Sequence, residues 1–328
     1  MRIVLCLRGA AQLIRWLQDQ LPEDEILECS ETEVPAIAWR ADVLIPTISR
    51  IGEEAMASPT LKLVQQFGAG LDTVEVEPAS RHGVWVANVP SGETANAESV
   101  AELAVLLMLA LARRLPQAQE SIRSRRVGAP IGTTLEKKTV AIVGFGGIGR
   151  ALARRLRPFE MRLLAVSRRG PRGGSEEEVD FHGDAGQLSR VLGEADFVVV
   201  ATPLSGETRG LIGRDRFAEM KRGCFLVNVA RGPIVDREAL LGALRDGTVA
   251  GAGIDVFWQE PVDPTDPLLA ENVIGTPHVG GATDTSLREI ARGVAENVNR
   301  IRRGEPPRNC VNADAIDREQ ARAKLPRS

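Results

Sequence analysis

The sequence predicts an α/β protein of two domains, each built on a parallel sheet. Three observations carry that expectation. Short runs of aliphatic and β-branched residues alternate with segments of helical periodicity along most of the chain, the pattern of parallel βα units. The alternation occurs twice, interrupted by a polar, basic stretch from Gln117 to Lys138. A chain of 328 residues, 43% of them hydrophobic, also exceeds what one core usually organises.

The elements follow in order. "RIVLCL" is a first strand, too short and too soon interrupted by Arg8 to be a signal peptide. After the helical "AQLIRWLQDQL" come the strands "EILEC", "ADVLIP", "LKLVQQF" and "GVWVAN". Val100 to Ala112 is the most apolar stretch, but it contains Glu102 and falls short of the roughly 18 residues of a membrane span, so it reads as a buried helix. Ser99 and Glu102 have the capping-box spacing expected at its start, and Pro116 is expected to stop it. Gln117 to Lys138, with Gly128, Pro130 and Gly132, reads as a surface connection.

The second set offers "TVAIVG", "RLLAV", "DFVVVAT", "CFLVNVA", "GAGIDV" and "NVIGTP", the six strands of a doubly wound, Rossmann-type sheet. Between them, "DREALLGALRDG" is a helix ending at Gly247. "GGATDTSLREIARGVAENVNRIRRG" is a long amphipathic helix, and the short tail beyond it is expected to return to the first domain. The expected boundaries are residues 1–98 with 287–328 for one domain and 99–286 for the other.

Composition excludes several classes of function. The formal net charge is −3 and no run of Lys and Arg reaches the length of a nucleic-acid arm, so no nucleic-acid partner is expected. Cys6, Cys29, Cys224 and Cys310 are isolated, without CxxC or a histidine at ligand spacing. Neither a metal site nor a disulfide framework is expected, and reduced thiols of a cytoplasmic protein are.

"VGFGGIG" places Gly144, Gly146 and Gly149 in the G-x-G-x-x-G pattern between a strand and a helix. The physical demands are a tight turn at Gly144, backbone close to a pyrophosphate at Gly146, and helix packing at Gly149, with Gly147 and Ile148 opening the helix towards the anion. A tight turn without a ligand is the alternative. About 20 residues after the first glycine, where such a fold carries an acidic residue for a ribose 2′-hydroxyl, stand Ser167, Arg168 and Arg169. Two guanidinium forks suit a 2′-phosphate, which a carboxylate would repel, so NADP(H) is expected over NAD(H). Two solvated loop arginines are the alternative here.

Three further segments, "VNVARGPIVD", "GIDVFWQEP" and "TPHVGGAT", follow strands that should end at the same sheet edge as the glycine turn, where ligands of such sheets bind. Arg231, Glu260 and His278 would supply there an anion clamp, a carboxylate and a group able to move a proton near neutral pH.

With these residues the chain resembles the D-isomer-specific 2-hydroxyacid dehydrogenase family. The motifs run through most of its length: "FGAGLD", "ESVAEL", "GFGGIG", "ATPLSGETRGLIG", "VNVARG", "GIDVF", "TPHVGGAT" and "GEPPRNCVN". The resemblance implies a nucleotide-binding domain inserted into a flavodoxin-like substrate domain, two crossing hinge helices and a homodimer. It also implies that Arg231 binds the carboxylate and carbonyl of a 2-oxoacid or 2-hydroxyacid, that His278 is the acid/base, and that Glu260 orients it. Asp255 would hold the nicotinamide amide, and the backbone of Ala69 and Gly70 would receive the substrate carboxylate. Thr202, Pro203, Val229, Ala230, His278 and Gly280, within the matching motifs, would line the cofactor.

Departures narrow the activity. Ala69 stands where phosphite-oxidising members carry lysine, and Glu260 where formate-oxidising members carry glutamine. Pro46 stands near a position where many members place a substrate-facing arginine, with Arg50 open to that role or to solvent. Trp258 suits a domain core or a pocket wall equally. Small 2-oxoacids, glyoxylate and hydroxypyruvate, are the expected substrates. The rival expectation is a nucleotide-sensing regulator or corepressor on the same fold.

Overall fold

The computed structural model describes residues 1–171, 178–316 and 318, and the end of the tail expected to return to the first domain lies outside them. The chain divides into two compact units, Met1–Ala95 with Asp284–Ser328, and Asn96–Thr283. Each division falls three residues before the expected boundary, because a helix begins at Asn96 and another at Asp284.

The first unit holds β1 (Arg2–Leu5), α1 (Ala11–Gln20), β2 (Glu25–Glu28), α2 (Val34–Ala38), β3 (Val43–Ile45), α3 (Glu53–Met56), β4 (Leu63–Gln65), α4 (Val76–Arg81) and β5 (Trp85–Ala87). Its sheet runs β2-β1-β3-β4-β5, with every strand pair parallel. Side chains alternate across it: Val4, Leu44, Val64 and Val86 pack with residues of α2 to α4 on one face, while Ile3, Leu5, Val43, Ile45 and Leu63 form the core of the other.

The second unit begins with α5 (Asn96–Ala112) and α6 (Leu115–Arg123). It continues with β6 (Thr139–Val143), α7 (Gly147–Leu156), β7 (Arg162–Val166), β8 (Phe181–Gly183), α8 (Leu188–Glu194), β9 (Phe197–Val200), α9 (Arg214–Glu219), β10 (Cys224–Asn228), α10 (Arg237–Arg245), β11 (Val249–Ile254) and β12 (Val273–Gly275). The parallel sheet runs β12-β11-β10-β9-β6-β7-β8, one strand more than expected, and its order reverses between β6 and β9. In β6, Ala141 and Val143 join the cluster containing α8 and α10, and Val140 and Ile142 join that containing α5 and α7. Both faces are covered, which is why this strand reads as an unbroken apolar run. The chain then returns to the first unit as α11 (Asp284–Arg302), followed by Val311, whose N–H bonds Val86 at 2.9 Å beside β5.

Two local expectations are corrected. Ser99 does not cap a helix: α5 starts one turn earlier, the Ser99 hydroxyl lies 2.7 Å from that of Thr283, and Glu102 pairs with Arg155 at 2.9 Å. Pro116 does not end a helical region either. It lies in the first turn of α6, where a missing N–H costs nothing, so the supposed surface connection opens with a helix. No described helix is long and apolar enough to cross a membrane.

Candidate active site

The glycine turn closes on itself at two points and stays open at a third. Gly144 has φ 103°, and a Cβ there would lie 2.6 Å from the backbone of Ala201 and Thr202, just after β9. A Cβ on Gly149 would lie 2.3 Å from the Gly144 carbonyl oxygen. A Cβ on Gly146, in contrast, would meet no atom within 4 Å. Gly146 caps α7, whose first turn is Gly147-Ile148-Gly149. Helix N–H groups facing open space beyond the carboxyl end of β6 fit a dinucleotide pyrophosphate. Pro203 continues the rim, its carbonyl accepting the Thr208 hydroxyl at 2.7 Å.

At the end of β7, Ser167 donates to the Gly170 carbonyl at 3.1 Å and lies 2.9 Å from His182 Nε2. Arg168 and Arg169 are exposed. Arg168 approaches Glu207 at 3.8 Å, a loose pair between two exposed side chains that a dianion would displace at little cost.

The other predicted residues sit in loops leaving β10, β11 and β12. Asn228, the buried last residue of β10, takes the Ala230 N–H on its Oδ1 at 3.1 Å and donates to the Arg231 carbonyl at 2.9 Å, folding the Val229-Ala230-Arg231 turn. Arg231 donates from Nη1 to the Ala230 carbonyl at 2.7 Å. Gly232 keeps the turn against Phe257, since a Cβ would come within 2.3 Å of that residue's backbone.

Glu260 accepts the Phe257 N–H at 2.9 Å on one oxygen and contacts His278 Nδ1 at 2.7 Å with the other. Burial raises the Glu260 carboxyl, but the His278 hydrogen bond and charge, the Phe257 N–H and the nearby Arg231 charge outweigh it and hold the group below its ordinary value. With Nδ1 facing a carboxylate, Nε2 is the nitrogen left to exchange a proton.

Asp255 is buried, and the strand end hands the loop of His278 to it. Its Oδ1 accepts the Thr276 hydroxyl at 2.6 Å and the Val279 N–H at 2.9 Å, its Oδ2 accepts the Gly280 N–H at 2.9 Å, and its carbonyl takes the His278 N–H at 2.8 Å. These bonds hold His278 at φ 56°, left-handed backbone that a histidine seldom adopts. The carboxylate expected to meet the nicotinamide amide is thus directed at the histidine loop. Trp258, open between two roles on sequence, donates to the Val235 carbonyl at 2.7 Å and packs on the unit's core.

In the first unit, the Ala69 and Gly70 carbonyls are tied by side-chain amides: Asn88 donates to Ala69 at 2.7 Å, and Gln66 to Gly70 at 2.6 Å and to Thr47 at 3.0 Å. Among the described residues, neither the Ala69 nor the Gly70 N–H finds an acceptor, a disposition that suits a carboxylate. Arg50 pairs with Glu75 at 2.6 Å, and Pro46 precedes the left-handed Thr47.

Sequence reasoning missed Asn228, Thr276, Gln66, Asn88 and His182. The first four share a signal, a polar residue just where an apolar strand ends. Among the described residues no cluster of His, Cys, Asp and Glu could hold a metal ion.

Comparison with known proteins gives a consistent picture. Residues 105–280 match the family model for the D-isomer specific 2-hydroxyacid dehydrogenase NAD binding domain. The chain is 37% identical over 308 residues to a glyoxylate reductase of Pyrococcus furiosus, covering 90% of this chain and 88% of that protein. It is 39% identical over 287 residues to one of Thermococcus kodakarensis, covering 84% of each. A crystal structure of a Thermus thermophilus protein superposes with a TM-score of 0.82 at 34% identity, covering 95% of this chain and all (100%) of that one. The alternative of a nucleotide-sensing regulator finds no support among these relatives. The chain therefore belongs to the D-isomer-specific 2-hydroxyacid dehydrogenase family and is an NAD(P)-dependent oxidoreductase acting on 2-hydroxy acids.

Proposed function

We propose that the protein reduces small 2-oxoacids, glyoxylate and hydroxypyruvate foremost, to 2-hydroxyacids of D configuration where a stereocentre forms, with NADPH preferred over NADH. The observation that carries the chemistry is the 2.7 Å contact between His278 Nδ1 and a Glu260 carboxylate held below its ordinary pKa. That carboxylate holds the ring by Nδ1, so Nε2 of the protonated ring delivers a proton to the carbonyl oxygen, while Arg231 stabilises the charge that builds there. When bound, the reduced nicotinamide supplies the hydride. The N–H groups of Ala69 and Gly70 take a substrate carboxylate, and Val229, Ala230, Thr202, Pro203 and Gly280 belong to loops that would line the cofactor.

The preference for NADPH rests on Ser167, Arg168 and Arg169 at the end of β7, where Ser167 occupies the sequence position at which such a fold carries an acidic residue for a ribose hydroxyl. Losing one charge-assisted phosphate contact costs on the order of 1.5 to 3 kcal/mol, so Arg168→Ala should weaken NADPH at least tenfold and leave NADH nearly unchanged. The glyoxylate reductases similar to this chain support the choice of substrate. Steady-state kcat/KM for glyoxylate, hydroxypyruvate, pyruvate and phenylpyruvate, each with NADPH and NADH, tests both parts. A preference for phenylpyruvate would refute the small-substrate reading, and equal efficiency with both cofactors would refute the NADPH reading.

A homodimer fits the apolar surface of the second unit around α6, where Ile122, Val127 and Ile131 are 77%, 100% and 86% exposed. Sedimentation should give twice the chain mass, and Val127→Asp with Ile131→Asp should shift it towards the monomer. A cytoplasmic location accords with Cys6, Cys29, Cys224 and Cys310, which form no disulfide among the described residues.

A further inference from the structure

Strand β8 carries a histidine that the chemistry above does not use. His182 pairs in register with Ala165 of β7, and its Nε2 lies 2.9 Å from the Ser167 hydroxyl just beyond that strand. Its ring also meets the Phe145 ring of the glycine turn edge-on, centroids 4.9 Å apart. One imidazole thus touches both the phosphate turn and the residue standing where the ribose-binding carboxylate is missing.

The Ser167 hydroxyl has a single proton. If His182 Nε2 is bare, it can accept that proton, and the hydroxyl oxygen then presents lone pairs outward. If Nε2 carries a proton, it donates to Ser167, whose own proton is released to the Gly170 carbonyl, 3.1 Å away, or to a ligand. A phosphate oxygen only accepts, whereas a ribose hydroxyl also donates. The protonated ring adds a positive charge as well.

We propose that His182 is a specificity-determining residue for the substituent at the cofactor's ribose 2′ position: through Ser167 it sets whether the site offers a donor or an acceptor, and its protonated form favours a 2′-phosphate. The inference rests on the reading that a dinucleotide binds along the glycine turn with its ribose at Ser167. On α7, Arg150 lies 5.3 Å over the Phe145 ring and pairs with Glu178, and beyond β7 Arg168 faces Glu207. At the ends of β8, Asp180 accepts the Leu163 N–H and faces Arg157, while Asp184 caps the following turn. Among the described residues, further charged groups on the neighbouring elements are Arg169, exposed beside Arg168, and Arg190 of α8, 4.3 Å over the Phe181 ring.

The test is equilibrium binding of NADPH and of NADH, read by the fluorescence of the reduced nicotinamide, for the native chain, His182→Gln and His182→Leu across about pH 5 to 8, the range in which histidine titrates. The 2′-phosphate itself gains charge near pH 6 and favours NADPH as pH rises, but it does so identically in every variant. The expected result is that the NADH-to-NADPH ratio of dissociation constants in the native chain, divided by that in His182→Leu, falls about fivefold or more from low to high pH. His182→Gln, whose amide is a permanent uncharged donor to Ser167, should keep a higher ratio than His182→Leu at every pH, without the titration. Parallel curves for the native chain and both variants would overturn the proposal. So would equal weakening of both cofactors, which lost packing on Phe145 would cause. If the native chain binds NADH more tightly at every pH and Arg168→Ala leaves the ratio unchanged, the NADPH preference fails on its own, and the comparison of slopes still decides the role of His182.

Discussion

His278 and Asp255 act at the scale of single atoms. In the proposed mechanism, replacing His278 by alanine removes the proton donor, and general-acid catalysis is worth about 100-fold or more, so kcat for 2-oxoacid reduction should fall by that factor. Reduction needs the imidazolium, so its rate should decline as pH rises, and 2-hydroxyacid oxidation should gain over the same interval. Glu260→Gln replaces the carboxylate that holds His278 Nδ1 by an amide, so kcat should fall while cofactor affinity holds. On the acid side of the pH profile the sign is opposite. A carboxyl held below its ordinary value of about 4.3 keeps its partner bonds above that pH and loses them only as pH falls through the lowered value, so this pair should not limit reduction above about pH 4.3. Asp255→Asn puts a second donor against N–H groups that need acceptors. Leaving one buried N–H unmet costs about 1 to 3 kcal/mol, so the melting temperature should drop and kcat should fall more than cofactor affinity, as thermal melts and a titration would show.

At the scale of elements, the strand–turn–helix of β6 and α7 separates two roles of glycine. Gly149→Ala forces a Cβ to 2.3 Å from the Gly144 carbonyl oxygen and should cost about 1 to 3 kcal/mol of stability. Gly146→Ala has open space and φ −88°, so the fold should melt as before while dinucleotide binding is lost, because the methyl occupies the volume meant for a phosphate. Thermal melts paired with cofactor titration of both variants check the contrast. What the sequence reveals of elements follows the same physics. Strands buried on both faces, such as "TVAIV" and "FVVV", announce themselves by apolar composition. β8, three residues at the sheet edge with a histidine at its centre, does not. The true start of α5 is hidden because Ser99 and Glu102 have a capping pattern while their partners, Thr283 and Arg155, lie far along the chain. Arg231, Glu260 and His278 stand out as ionisable residues in strand-end motifs, whereas Asn228 and Thr276 carry no charge and their work appears only with their hydrogen bonds.

At the scale of the whole molecule, the first unit is one sheet assembled from two distant segments. Asp24, with its side chain almost fully buried, pairs with the Met1 amino group and with Arg302 at the end of α11. Burial raises its carboxyl, but the Arg302 and Met1 hydrogen bonds and charges outweigh this and leave it lowered. Its stabilisation is therefore complete above about pH 3.9 and lost as pH falls through the lowered value. Asp24→Asn should cost on the order of 2 kcal/mol, less than a fully buried pair because Arg302 is partly exposed, and should flatten the acid limb of a stability profile measured by denaturant unfolding.

The same two-segment construction orders events on the ribosome. Residues 96–283 form a unit with its own core and can condense as soon as they emerge. The first sheet cannot: Ile3, Leu5, Val43, Ile45 and Leu63 share their cluster with Ile290, Val294 and Val298 of α11, which are made far later. The nascent chain therefore carries an unfinished apolar face through most of its synthesis, until α11 is made to cover it.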